Sequence, residues 1–415
     1  MLVADMQDTA TSNVATPRTR LAQHAPTLSG WMTFQLAFAC GLIVANLYYA
    51  QPLAGPIGQS LGLAPAATGL IVTLTQIGYG LGLLLIVPLG DLIETRRLVC
   101  TLLALAALAC LALALSSAPA QFFTATLALG LVSAAAQVLV PFAAHMAPPQ
   151  HRGHVVGKVM SGLMTGIMLA RPWASFIAQI SAWHVVFFCA AAAMALLAVM
   201  LRMNLPQRRP EAALGYGALL ASMTGLIRRT PLLRRRALYH AALFGAFSVF
   251  WTTTPLLLAR TYGLSQGGIA LFALAGVAGA VVSPIAGRLA DRGHSKAATV
   301  LAMSLVATGF LMTHIATPGS KLGLSLLVVA GIVVDSGVTT NLVVGQRAIF
   351  SLGAEVRSRL NGLYMAIFFA GGAIGSAAGG WAFAHAGWAW ASGLGVALPI
   401  LALMYLTTEP KAKSA

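Results

Sequence analysis

The chain reads as an all-α membrane protein, with twelve transmembrane helices in two pseudo-symmetric six-helix bundles. Three observations predict this: a composition too apolar for water, a succession of long apolar runs, and landmarks that recur at one spacing.

Of the 415 residues, 58% are hydrophobic and only 8% are charged. A soluble domain carries about 25% charged residues, and this chain has too few to cover a polar surface. Lipid as solvent removes that need. The net charge of +16 raises a nucleic-acid reading. That reading fails, because the basic residues form no continuous patch and no RNA-reading motif. They lie in short clusters between apolar runs, the positive-inside pattern of an integral membrane protein. Cys40, Cys100, Cys110 and Cys189 all sit in apolar segments without a CxxC partner. They read as small buried hydrophobes rather than disulfides or metal ligands.

A spanning helix needs about 20 apolar residues. Such runs occupy 31–50, 66–89, 98–117, 121–146, 155–179, 185–201, 237–259, 267–286, 297–316, 322–346, 358–384 and 388–406. Membrane β-barrel strands alternate over about ten residues, and these unbroken Ala, Leu, Val and Gly runs do not. Residues 1–30 are polar and read as a cytosolic tail, and the apolar stretch from Trp31 is too long for a signal-peptide core, so no cleavage is expected. The basic segment 204–236 reads as a cytosolic linker between bundles at 31–203 and 237–408, with a cytosolic tail at 409–415. Within the linker, Leu219 to Ile227 is amphipathic, and suits either the membrane surface or a solvated connection. With the N-terminus in the cytosol, 22 of 25 basic residues fall on the cytosolic side; Arg260 and Lys321 fall outside, and Arg171 lies within a span. This bias sets the orientation, with both termini cytosolic.

The two halves carry matching landmarks. Gln51-Pro52-Leu53 answers Thr254-Pro255-Leu256 at an offset of 203, Asp91 answers Asp291 at 200, and Arg152 to Gly157 answers Arg357 to Gly362 at 205. Near-constant spacing argues for internal duplication, and parallel six-helix repeats are a transporter architecture.

At these residues the chain resembles the major facilitator superfamily. The family's cytosolic loop has the form GxLaDrxGrr, and Val87 to Arg97 reads VPLGDLIETRR, matching at Asp91, Arg96 and Arg97. The second copy, GRLADRGHSK from Gly287 to Lys296, keeps Gly287, Leu289, Asp291 and Arg292. Ala45 to Leu53 (ANLYYAQPL), the stretch from Asp335 to Gln346, and Ser358 to Gly380 resemble the bacterial branch of drug and metabolite efflux permeases. Two features depart from the family: Thr126 stands where the fourth-span motif has Arg, and the fifth-span Gly-Pro motif survives only as Gly162, Gly166 and Ala170-Arg171-Pro172. The resemblance implies a multi-pass protein of the bacterial inner (plasma) membrane, expected as a monomer. Its partners would be the lipid bilayer, protons and a small-molecule substrate. It also implies a cytosolic gate at Asp91, Arg96, Arg97, Asp291 and Arg292, ordinary helix-end electrostatics being the competing role.

Acidic residues number nine, and Asp335 alone lies mid-span, in GIVVDSGVTTNLVVGQ. An ionised Asp there costs roughly 2.5–3.5 kcal/mol on insertion scales, and such residues mark ion or proton pathways. Thr339 lies one turn on and Gln346 three turns on, on the same face. Asp335 is therefore the expected proton-coupling site, against a structural role in hydrogen bonding a neighbouring helix. Arg171 keeps its proton at accessible pH, so it needs a carboxylate, carbonyls, water or an anionic ligand. It is expected to partner Asp335 or anchor substrate, packing at Pro172 being the alternative. In the family, spans one, four, seven and ten line the cavity, which makes Asn46, Tyr49, Gln137, Trp251, Asp335 and Thr339 the expected substrate-cavity residues; interhelical hydrogen bonding competes at each. His145 and His240 read as interfacial rather than metal ligands. No Walker A, GxSxG, HExxH or CxxC motif occurs, so no enzyme, cofactor or metal is expected. The function that follows is proton-coupled export of a small, partly apolar compound by alternating access. A sugar or metabolite importer, or a non-transporting receptor or scaffold, is the alternative.

Overall fold

The structure is a computed structural model, and it describes residues 29–148, 151–208, 215–277, 294–353 and 356–409, together with 282, 285, 286 and 288. Among these residues the regular secondary structure is all helix, and there is no strand. In a medium without water every backbone N–H and C=O must be matched internally, which helices do within one segment. Nine helices among the described residues are long and apolar enough to cross a membrane.

The chain begins with α1 (Gly30–Ala45), capped by the Ser29 side chain, and unwinds through Asn46 to Ala50 before the short α2 (Ala54–Ser60). Next come α3 (Leu70–Leu85), α4 (Thr95–Ala114), α5 (Pro119–Val132) and α6 (Ala135–Met146). The apolar run at 121–146 holds α5 and α6, which a turn at Ser133 and Ala134 joins into one span from Pro119 to Met146. Then follow α7 (Arg152–Ile180), α8 (Trp183–Asn204), α9 (Tyr216–Arg229), α10 (Pro231–Thr261) and α11 (Gln266–Ala273). A 3-10 turn, Leu274–Val277, continues α11. The remaining helices are α12 (Ser295–Met312), α13 (Lys321–Phe350) and α14 (Arg357–Thr407). At Gly387 (φ 69°) α14 breaks, and this left-handed residue parts the runs read at 358–384 and 388–406.

Two glycine seams bring helix backbones together. Gly41 of α1 meets Gly162 and Gly166 of α7, where a Cβ on Gly41 would stand 2.7 Å from the Gly162 carbonyl oxygen. Gly245 of α10 likewise meets Gly371 and Gly375 of α14. With no hydrophobic gain from burying Leu against Leu in lipid, such close van der Waals approach holds helices together. α10 is the most enclosed helix, with 89% of its most apolar window buried. The outer faces expose Leu108, Leu196, Ile374 and Trp390, apolar residues suited to lipid.

The amphipathic stretch of the linker is α9. Its Leu219 and Met223 are buried, and Met223 clusters with Leu233, Ile349, Leu360 and Tyr364. Tyr216 donates to the Leu85 carbonyl (2.9 Å), and Arg359 donates to Ser222 (2.9 Å). The helix is therefore docked on α3 and α14 rather than solvated on all sides.

Candidate functional site: a buried Asp–Trp–Arg cluster

Asp335, on α13, is 6% exposed, and its Oδ1 accepts a 2.9 Å hydrogen bond from the Trp251 indole N–H of α10. The face of Trp251 lies 4.4 Å from the guanidinium carbon of Arg171, and the rings of Tyr48 and Phe247 stand 5.0 and 5.2 Å from it. Three aromatic faces thus surround a cation that is 2% exposed, replacing part of its lost hydration. The Nε–H of Arg171 donates to Gln51 Oε1 at 2.7 Å.

Arg171 and Asp335 are brought together without touching. A Cβ on Gly276 would lie 3.0 Å from Asp335 Oδ2, 3.3 Å from Arg171 Nη1 and 3.3 Å from Trp251 Cζ2. The two charged atoms therefore face each other across Gly276 within about 6 Å. No direct ion pair within 4.0 Å joins them. Trp251 links them instead, giving its N–H to the carboxylate and its face to the guanidinium. The cluster draws Tyr48, Gln51 and Arg171 from the first half of the chain, and Phe247, Trp251, Gly276 and Asp335 from the second.

The other expected cavity residues lie elsewhere. Asn46 donates to Met194 Sδ (3.3 Å) on α8 and accepts from the Cys110 thiol (3.8 Å) on α4. Tyr49 packs on Trp173, with ring centroids 5.2 Å apart. Asn46 directly caps α1, and Tyr49 lies in the turns that follow it. Tyr48, one residue earlier, takes the place by Arg171. Gln137 donates to Tyr79 OH (3.2 Å), whose ring meets Phe369 of α14 at 4.5 Å. Thr339 is half-buried, while the buried hydroxyl beside it, that of Thr340, donates to the Ser336 carbonyl. Gln346 donates to Asn361 (3.2 Å) on α14.

At the gate-like loop, Arg97 and Arg96 pair with Glu94, at 3.0 and 3.7 Å, and not with Asp91. Asp91 is exposed and lines a small crevice with Met223, Arg359 and Gly362. A 3-10 turn closes at Asp91, whereas Glu94 directly precedes α4 and its two arginines. Asp291 and Arg292 lie outside the described residues. His240, expected at an interface, is fully buried: it stacks on Tyr364 and Phe368 (centroids 5.1 and 4.2 Å) and bonds Asn341 at 3.1 Å.

The sequence reading missed Gln51 and Tyr48 as members of the cluster. Gln51 was legible only as a repeat landmark, although a polar residue directly before Pro marks a place where a helix leaves its register. Glu94 was legible as an acid just ahead of two arginines, a spacing that favours pairing.

The chain belongs to the Major Facilitator Superfamily, whose family model matches residues 36–354. It is 39% identical over 363 residues to the Putative uncharacterized transporter YgaY of Escherichia coli (strain K12), covering 87% of this chain and 91% of that protein. It is 32% identical over 359 residues to the Probable transporter SCO4007 of Streptomyces coelicolor, covering 85% and 81%. Among solved structures, that of a POT family transporter in complex with 5-aminolevulinic acid shares the fold at a TM-score of 0.74 and 13% identity, covering 93% of this chain and 98% of that one. The protein is a multi-pass membrane transporter of this superfamily.

Proposed function

We propose that the protein is a secondary active transporter that couples a small, partly apolar compound to protons by alternating access. The outward direction is the one its resemblance to efflux permeases indicates. In this reading twelve spans form bundles at 31–203 and 237–408, joined by the linker 204–236, in a bacterial inner membrane with both termini cytosolic. Asp335 carries the proton, and Arg171 and Trp251 answer its charge. The protein acts as a monomer, and the loop at Asp91, with Glu94, Arg96 and Arg97, belongs to the cytosolic gate, as do Asp291 and Arg292.

One observation carries this reading. The buried carboxylate of Asp335 is held by Trp251 beside an unpaired Arg171, in a cluster built from both halves of the chain. Rocking one half against the other must part these residues, so the charge state of Asp335 and the position of the halves are linked. A passive anchor or receptor has no use for such a group, since ionisable residues within spans are costly and functional.

Uptake is the second reading, and the N–H groups that Arg171 and Gln51 leave without acceptors favour it. An anion taken by those donors and a proton on Asp335 would enter together.

The test is flux in proteoliposomes under an imposed pH gradient, with cationic drugs, sugars and aromatic carboxylates as solutes. Wild-type protein is expected to move solute against its gradient, and the sign of the flux relative to protons separates export from uptake. Asp335→Asn is expected to lose this accumulation. Pumping by that variant at the wild-type rate would end the proposal.

A further inference from the structure

A buried guanidinium is costly when its N–H groups go unmatched. Arg171 Nη2 is buried and has no acceptor. Gln51 gives its Oε1 to Arg171, and its own Nε2 is likewise buried without an acceptor; the residue is 1% exposed. Both unmatched atoms are donors. On the acceptor side, Asp335 Oδ1 already takes the Trp251 N–H. Its Oδ2 faces Arg171 Nη1 without an ion pair, so the buried polar atoms left unmatched here, Arg171 Nη2 and Gln51 Nε2, are both donors, beside a cation that keeps its proton. A cationic substrate would supply more donors and repel Arg171. An anionic oxygen pair would satisfy both orphans through charge-assisted hydrogen bonds. The rings of Tyr48, Phe247 and Trp251, now closed on the guanidinium, offer flat apolar walls to whatever is attached to that anion.

We propose that this site takes a small organic anion: a carboxylate whose oxygens accept from Arg171 Nη2 and Gln51 Nε2, on an apolar or aromatic body that packs among Tyr48, Phe247 and Trp251. The proposal rests on the transport reading and names its substrate class.

The test is thermal unfolding of the purified full chain in detergent with six probes: benzoate and phenylacetate, their neutral amides, and the amines benzylamine and phenethylamine. The two carboxylates are expected to raise the melting temperature in a saturable way, the amides and amines not. Arg171→Gln is expected to lose the carboxylate effect. Gln51→Glu covers the case in which that variant fails to fold. It places a fixed carboxylate on the guanidinium, so the protein is expected to melt no lower than wild type while its affinity for benzoate falls at least tenfold. Stabilisation by the amines instead of the carboxylates, or by none of the six probes, overturns the assignment; so does benzoate affinity unchanged in Gln51→Glu. Binding requires no gradient. A protein that binds carboxylates yet moves no solute with protons keeps this assignment and loses the coupling reading, and one that exchanges amines for protons does the reverse.

Discussion

Replacing Asp335 by Asn removes one negative charge while nearly preserving shape, and the geometry makes it shift two quantities in opposite directions. Asp335 Oδ2 and Arg171 Nη1 lie within about 6 Å of each other, both out of water. At that separation and an effective dielectric of about 20, the attraction is about 3 kcal/mol. The unliganded variant loses this and is expected to melt at a lower temperature than wild type. A carboxylate seated on Arg171 Nη2 lies farther from Asp335; for a separation of roughly 10 Å the repulsion it escapes in the variant is about 1.7 kcal/mol. Benzoate should therefore bind the variant on the order of tenfold more tightly, and stabilise it by more than it stabilises wild type. The assay is a benzoate titration followed by thermal unfolding and by direct binding, at a pH where wild-type Asp335 is ionised in the flux assay. Weaker benzoate binding by Asp335→Asn, or an unliganded melting temperature equal to wild type, would refute the electrostatic account of the cluster.

Three further outcomes follow from the packing. Gly276→Ala pushes a methyl group against Asp335, Arg171 and Trp251 at 3.0, 3.3 and 3.3 Å; overpacking of this kind costs about 1–3 kcal/mol, so coupled flux should fall although the protein still reaches the membrane, and unchanged flux would contradict the juxtaposition. Thr73 of α3 and Ser376 of α14 hydrogen bond at 2.8 Å across the two halves of the chain; a Thr73→Cys, Ser376→Cys pair should oxidise readily, stop flux, and release it on reduction, and flux through a verified cross-link would mean that this contact stays closed throughout the cycle. His240→Phe keeps the stack on Tyr364 and Phe368 but strips Asn341 of its partner; leaving a buried amide unmatched costs about 1–3 kcal/mol, read as a lower melting temperature, and a variant as stable as wild type would show that the bond contributes nothing.

The multi-pass membrane class was legible because it rests on coarse physics: apolar runs of bilayer length, basic clusters between them, and landmarks repeated between halves; the superfamily was legible through the resemblance of the loop from Val87 to Arg97. Asp335, Arg171 and Trp251 stood out for a related reason, since a charge or an indole N–H deep in an apolar run has few partners to choose from. The sequence could not tell which polar neighbours face them. Asn46 and Tyr49 were expected at the cavity because the resemblance gives the span at 31–50 a cavity-lining place. The α-helix ends at Ala45, and past the turns that follow it Tyr48 rather than Tyr49 stands against Arg171. Successive residues on a helix point about 100° apart, as 3.6 residues per turn requires, so an undetected break rotates every assignment beyond it.

The same limit explains why Gly276 was not legible as part of the cluster. Its role is to have no side chain at the one point where α7, α10 and α13 converge, and composition cannot distinguish that from the glycines of the α1–α7 and α10–α14 seams. The difference is in what a Cβ would strike. At Gly41 and Gly245 it strikes backbone, which fixes helix separation. At Gly276 it strikes a carboxylate, a guanidinium and an indole, which fixes the separation of two charges. The proton-carrying role proposed for Asp335 needs that separation: close enough for Arg171 to respond to its charge, yet short of a direct ion pair that would hold the carboxylate permanently ionised. Trp251 sets the spacing on one side and the bare backbone of Gly276 on the other, so the responsiveness of Asp335 depends on two residues that carry no charge.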